Sequence, residues 1–151
     1  MRTVSDILES KPQPFNIIAP AQLVIDALHM LNSVNLSYLI VMNGDDYKGI
    51  FSERDYSRNV ILKGRSSSST TVQEVMTTDV PVVQPTDSVE HCINMINLHK
   101  TRYLLACNDS DKVIGVITIH DLLRQVLNYK GEFNNAALAN QLIDNDERSV
   151  Y

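Results

Sequence analysis

Seven residues are written twice in this chain, and that repetition limits what it can fold into more than any other feature. Gly49-Ile50-Phe51-Ser52-Glu53-Arg54-Asp55 returns as Gly115-Val116-Ile117-Thr118-Ile119-His120-Asp121. Each copy has a glycine, two apolar residues, a hydroxyl residue and, three positions further on, an aspartate. Other landmarks keep step: Val4–Leu8 with Val72–Met76, Ala19-Pro20 with Gln84-Pro85, Tyr38-Leu39 with Tyr103-Leu104, and Lys63-Gly64 with Lys130-Gly131. The spacing drifts only between about 65 and 68 residues, which places the small insertions in loops. The chain is a tandem duplication.

Each copy reads as strand, helix, strand, strand, helix. Ile17-Ile18 and Val82-Val83 are short apolar runs that precede a proline, as a brief first strand would. Helical periodicity follows, through Leu23, Val24, Ala27, Leu28, Leu31 and Val34 in one copy and Val89, Cys92, Ile93 and Ile96 in the other. Asp87 with Glu90 three residues later resembles a capping box. Tyr38–Met42 and Tyr103–Cys107 are continuous apolar runs, the pattern of strands covered on both faces. Asn43-Gly44-Asp45-Asp46 and Asn108-Asp109-Ser110-Asp111 are turn chemistry, so the next strand returns antiparallel. The last helix starts near Asp55 or Asp121, and Gly64 and Gly131 suit the left-handed position beyond its end.

A single copy of about 60 residues buries little apolar surface and leaves sheet edges open. The expected fold is therefore α/β (α+β): two βαββα repeats packed sheet to sheet around a pseudo-twofold axis. The expected limits are repeat 1 at 4–64, a linker at 65–71, repeat 2 at 72–131 and a C-terminal tail at 132–151. The serine run in Arg65–Thr71 has the composition of a flexible linker. In the tail, 132–143 suits a short helix and Asp144–Arg148 is polar and expected to fray.

The 151 residues carry a net charge of −5, which argues against wholesale binding of nucleic acid or anionic membrane. The start lacks the apolar core of a signal peptide, and no apolar run approaches the roughly 18 residues a spanning helix requires. Cys92 and Cys107 fall inside apolar patterns and read as buried thiols in a reducing compartment, so a cytoplasmic location is expected. His29, His91 and His99 lack metal-ligand spacing, so no metal is expected. Ser52, His120 and Asp121 contain a triad's ingredients without its nucleophile elbow, so no catalytic residue is expected.

Over residues 4 to 131 the chain resembles a tandem pair of CBS domains, the cystathionine β-synthase-type regulatory repeat. The resemblance rests on the duplicated Gly-to-Asp motif, on Asn35-Leu-Ser-Tyr-Leu-Ile40 and Lys100-Thr-Arg-Tyr-Leu-Leu105, and on Val72–Met76 with Lys63–Ser66. Many members carry proline where this chain has Ile40 and Leu105. The resemblance implies a regulatory module of the stand-alone type that binds an adenosine derivative (AMP, ATP, NAD or S-adenosylmethionine), forms a homodimer and signals to a partner protein. It also implies that each ligand lies between copies. Ser52, Arg54 and Asp55 would then work with Val80, Pro81, Arg102 and Tyr103, and Thr118, His120 and Asp121 with Phe15, Asn16, Ser37 and Tyr38.

The chemistry of the motif agrees with that expectation. A carboxylate is a bidentate acceptor for the paired hydroxyls of a ribose, and charge-assisted bonds of this kind contribute roughly 1.5–3 kcal/mol each. Asp55 and Asp121 also suit plain helix caps, and one aspartate can do both. Arg54 and Arg102 are always ionised whereas His120 titrates, so the first site is expected to hold the more phosphorylated ligand, or to hold it more tightly. The alternative function is a dimerisation scaffold with a vacant cleft.

Overall fold

The fold is that of a computed structural model, which describes residues 2–11, 16–34, 36–128 and 135–148. It contains two compact units, Phe15–Asp79 and the combination of Met1–Pro14 with Val80–Val150.

In the first unit, β1 (Ile17–Ile18) runs parallel to β2 (Tyr38–Asn43), which pairs antiparallel with β3 (Asp46–Ser52). The β2–β3 hairpin closes through Gly44 and Asp45, and Gly44 takes the φ of +64° that such a tight loop demands. The amphipathic helix α2 (Val24–Val34) presents Val24, Ala27 and Leu31 to Leu39, Val41 and Phe51, and these form the core. Tyr38, Ile40 and Ile50 are also buried, so the strand is covered on both faces as its unbroken apolar run predicted.

A three-residue helix, α3 (Glu53–Asp55), leads straight into π-helical turns over Tyr56–Ile61. There, Leu62 N–H bonds Ser57 C=O and Arg65 N–H bonds Val60 C=O, each five residues back. Gly64, at φ +70°, ends the run as expected; Gly131 lies outside the described residues.

The second unit repeats the plan: β4 (Val82–Val83) parallel to β5 (Tyr103–Cys107), and β5 antiparallel to β6 (Val113–Thr118). Even the irregularity recurs, with the register shifting at Val41/Met42 and again at Ala106/Cys107. Helices α5 (Val89–His99) and α6 (Ile119–Asn128) cover this sheet and enclose Val89, Ile93, Ile96, Leu104, Ile117 and Leu122. Ile40 and Leu105 sit in regular ladder positions, opposite Ile50 and Val116.

Four expectations change. First, the compact units do not coincide with the sequence repeats. Helix α1 (Val4–Ser10) buries Val4 and Ile7 in the core of the second unit, with Val4 N–H on Asp87 C=O and Ser5 N–H on Pro85 C=O. In the same way α4 (Val72–Val75) buries Val72 and Val75 in the first unit, with Val72 N–H on Gln22 C=O and Gln73 N–H on Pro20 C=O. Each repeat's leading helix docks on the strand-to-helix turn of the other repeat's sheet, so limits at 64 and 72 do not follow the packing.

Second, Arg65–Thr71 is no flexible tether. Ile25 N–H bonds Ser67 C=O, Val24 N–H bonds Thr70 C=O, and Ser69 and Thr70 N–H both reach Ser66 C=O. The serines close turns whose carbonyls receive the free amides at the start of α2.

Third, the cap of α5 is Ser88, whose Oγ accepts His91 N–H, while the Asp87 carboxylate accepts Gln84 N–H one residue earlier. Fourth, the tail does not fray over Asp144–Arg148. Helix α7 (Asn135–Arg148) packs on α5 and α6, with Leu142 wholly buried.

Candidate functional site

The duplicated motif forms the same box twice. Ser52 ends β3 in extended conformation and turns the chain into α3. Asp55 Oδ2 accepts Ser52 N–H at 2.8 Å and the Ser52 hydroxyl at 3.1 Å, and Ser52 Oγ accepts Asp55 N–H at 3.3 Å. This is a capping box with aspartate in the far position. In the second unit Thr118 N–H donates to Asp121 Oδ2 at 3.0 Å and Thr118 Oγ1 accepts Asp121 N–H at 3.1 Å.

The remaining donors differ. Asp55 Oδ1 accepts the Thr77 hydroxyl at 2.8 Å. Asp121 instead has two cations, Lys11 Nζ at 3.0 Å from Oδ2 and Arg124 Nη2 at 2.8 Å from Oδ1. Lys11 also donates to Val116 C=O at 2.8 Å. Both carboxylates are nearly closed off from water, at 3% exposure for Asp55 and 4% for Asp121. Burial raises the pKa of Asp55, while the Thr77 and Ser52 hydrogen bonds pull it down less strongly.

The helix-to-strand turns lie against the boxes of their own units. Ser37 C=O accepts Glu53 N–H, and Arg102 C=O accepts Ile119 N–H, each at 3.1 Å. Tyr38 sits opposite Ser52 in the ladder, and Tyr103 opposite Thr118. The residues before the first strands are tied in too, Asn16 C=O to Ile40 N–H at 2.9 Å and Pro81 C=O to Leu105 N–H at 2.8 Å.

Ser37 and Tyr38 therefore adjoin the Ser52–Asp55 box in one unit, and Arg102 and Tyr103 the Thr118–Asp121 box in the other, while Asn16 and Pro81 are tied to the middle strands at Ile40 and Leu105. Arg54 is half-buried on α3, His120 is exposed in the first turn of α6, and Val80 is buried just before Pro81. Phe15 lies outside the described residues. The guanidinium of Arg102 stands 5.8 Å from the Tyr103 ring centroid, and its Nε is 2.7 Å from Asp146 Oδ1. The arginine expected to meet a phosphate thus has a carboxylate partner from α7.

Sequence reasoning missed four functional neighbours: Thr77, Lys11, Arg124 and Asp146. Arg124 was within reach, since a cation three residues after a helical aspartate shares its face. The others come from far along the chain and carry no local signal. Among the described residues no three His, Cys, Asp or Glu side chains gather as metal ligands. Burial pushes the Cys92 thiol up to about 12 and raises Cys107 as well, so both stay protonated near neutrality. No helix among the described residues is long and apolar enough to cross a membrane.

Among the described residues, two three-stranded sheets each end in a hydroxyl–aspartate cap, a tandem α/β repeat, and comparison with known proteins identifies its family. The CBS domain model matches residues 72–128. A putative signal-transduction protein with CBS domains from Burkholderia ambifaria is 36% identical with a TM-score of 0.77, over 87% of this chain and 98% of that one. The mitochondrial CBS domain-containing protein CBSX3 of Arabidopsis thaliana is 29% identical over 134 residues, 83% of this chain and 65% of that protein. CBSX2, solved in complex with AMP, is 25% identical with a TM-score of 0.68, over 85% of this chain and 98% of that one. The chain belongs to the CBS-domain family, as a tandem pair. It spans less than two thirds of the length of the first curated relatives it matches, at 65%, 21% and 55%.

Proposed function

We propose that the chain is a non-catalytic regulatory module that binds an adenosine nucleotide of the AMP, ATP or NAD class and conveys its occupancy to a partner protein. One observation carries this reading: in each box the two carboxylate oxygens have different duties. Oδ2 receives the main-chain amide of the cap, whereas among the described residues Oδ1 receives a side-chain donor, Thr77 in one unit and Arg124 in the other. A sugar hydroxyl can take the place of such a donor without undoing the helix start. The donor set fits the rest of a nucleotide. Ser52 and Thr118 supply hydroxyls, Arg54, Arg102 and His120 the positive charge, and Asn16, Phe15, Ser37, Tyr38, Val80, Pro81 and Tyr103 the strand-start surface for a base. Among the described residues, buried Asn16 Nδ2 has no hydrogen-bond partner, as expected of an amide kept for a ligand. The AMP complex of CBSX2 supports the ligand class.

Calorimetric titration with AMP, ATP and NAD tests the proposal, and absence of binding at millimolar concentration by all three abandons it. The stronger grip expected where Arg54 and Asp55 contribute predicts that Asp55→Ala weakens ATP binding more than Asp121→Ala; equal losses count against that asymmetry. A homodimer is part of the proposal, supported by exposed Leu62 and Leu98, and light scattering at the protein's mass would measure it.

A second reading is favoured by the completeness of the two capping boxes. In it the pair is a scaffold whose aspartates only start helices. It predicts that Asp55→Ala and Asp121→Ala lower stability and leave partner capture intact.

A further inference from the structure

Helix α7 makes two kinds of contact with the second unit. Its apolar anchor is Leu142, fully buried among core residues, while Ile143 beside it remains 46% exposed. Its polar contacts run along one edge: Gln141 accepts from Asn97 at 3.2 Å, Asn145 donates to Asn97, and Asp146 holds Arg102. Ala139 also packs on that core. Of the polar contacts, the Asp146–Arg102 pair is the one a phosphate could claim.

Arg102 is the contact that matters. Its guanidinium is permanently charged and its geometry accepts a carboxylate or a phosphate equally well. The pair is partly reachable by solvent, with side chains 15% exposed for Arg102 and 30% for Asp146. The Arg102 carbonyl is bonded to Ile119 N–H, next to Thr118 of the hydroxyl–aspartate box. Phosphate held by that arginine and docking of α7 through Asp146 draw on one cation.

We propose that α7 is a displaceable strap whose Asp146 occupies Arg102 in place of a nucleotide phosphate, so that phosphate binding and α7 docking oppose each other. This rests on the nucleotide reading above and adds its regulation. Because the coupling is reciprocal, whatever loosens α7 tightens the phosphate ligand, and the phosphate ligand loosens α7. A ligand without a phosphate has no differential affinity for the two arrangements and shifts neither.

The full chain is titrated calorimetrically with ATP and with adenosine, as wild type, Asp146→Asn, and Arg102→Gln with Asp146→Asn. Asp146→Asn is expected to bind ATP about 1.5- to fivefold more tightly, the range for a partly exposed ion pair removed from competition. Adenosine affinity stays unchanged, and the double variant loses the gain. In wild type, ATP accelerates hydrogen exchange of the amides of residues 142–146. If ATP binds wild type and Asp146→Asn equally and exchange in α7 does not move, the strap is overturned while the nucleotide reading stands. If neither ATP nor adenosine binds any variant, the nucleotide reading itself fails and the strap goes with it.

Discussion

Asp55 and Asp121 occupy the same place in two copies of one motif, yet their direct partners differ in charge. Both cap a helix through an identical three-residue box. Asp55 then accepts a neutral hydroxyl from Thr77 and feels Arg58 through charge, whereas Asp121 makes direct ion pairs with Lys11 and Arg124. The difference shows that a repeat keeps what neighbours in sequence can build, while residues far along the chain, Thr77 and Lys11, set one direct partner of each carboxylate. The glycines that open the motifs teach the same. A Cβ on Gly49 would lie 2.6 Å from the backbone oxygen of Thr77, whereas on Gly115 it would meet the Leu8 side-chain tip at 2.6 Å.

The largest expected asymmetry comes from deleting the carboxylates. Asp55→Ala strands the Ser52 amide and the Thr77 hydroxyl in a buried place, at a cost of about 2–4 kcal/mol. Asp121→Ala also strands the Thr118 amide but is expected to cost less, about 1–2 kcal/mol, since Arg124, 65% exposed, turns to water and Lys11 keeps its bond to Val116 C=O. Chemical denaturation of both variants measures this, and a larger loss for Asp121→Ala would break the comparison.

Next come the glycines. Gly49→Ala must push back the Thr77 main chain and its bridge to Ile50, costing about 1–3 kcal/mol, as overpacking does. Gly115→Ala only asks Leu8 to change rotamer and is expected below about 1 kcal/mol. Equal melting temperatures for the two would refute the distinction between backbone and side-chain obstacles.

A smaller effect is pH-dependent. The folded pKa of Asp55 is raised by burial, so the folded chain binds more protons than the unfolded one in the interval between the two values. Stability from this group therefore falls as pH climbs from the unfolded carboxylate value, about 3.9, through the raised folded value, and is flat above it. Asp55→Asn lacks the effect, so the stability difference between wild type and variant shrinks across that window. Parallel stability curves from pH 3.5 to 7 would remove desolvation as the dominant influence on Asp55.

The smallest signal uses the thiols. Both cysteines lie in the second unit, and Cys92, pushed up to about 12, is fully buried. Alkylation at pH 8 is expected only after that unit opens, so it reports on the second unit alone. Labelling at the rate of a free thiol in native buffer would show the second unit opening readily.

Much of this was legible in the residues. Periodicity placed α2 and α5, unbroken apolar runs placed β2 and β5, and turn residues placed both hairpins, because these features depend on contacts a few residues apart. The hydroxyl–aspartate spacing was equally legible, but it suggested Asp55 itself as the cap, whereas Ser52 is the N-cap and Asp55 the third helical residue of a capping box. The Ser88 cap was misplaced by one residue because Asp87 and Ser88 are both good caps, and only the backbone shows which turns the chain. The π-helical turns over Tyr56–Ile61 had no signal, as their apolar spacing matches an ordinary helix.

The amino-acid order alone determined the duplication, the strand-helix-strand-strand-helix plan and the two capping aspartates, because each follows from local periodicity and side-chain chemistry. Tertiary structure alone decided that α1 and α4 trade sheets, since the two helices carry the same pattern and either surface suits both. It alone placed Lys11 and Thr77 on the two carboxylates and α7 against Arg102. Those contacts join residues tens of positions apart, where burial and charge pairing, not neighbouring sequence, choose the partner.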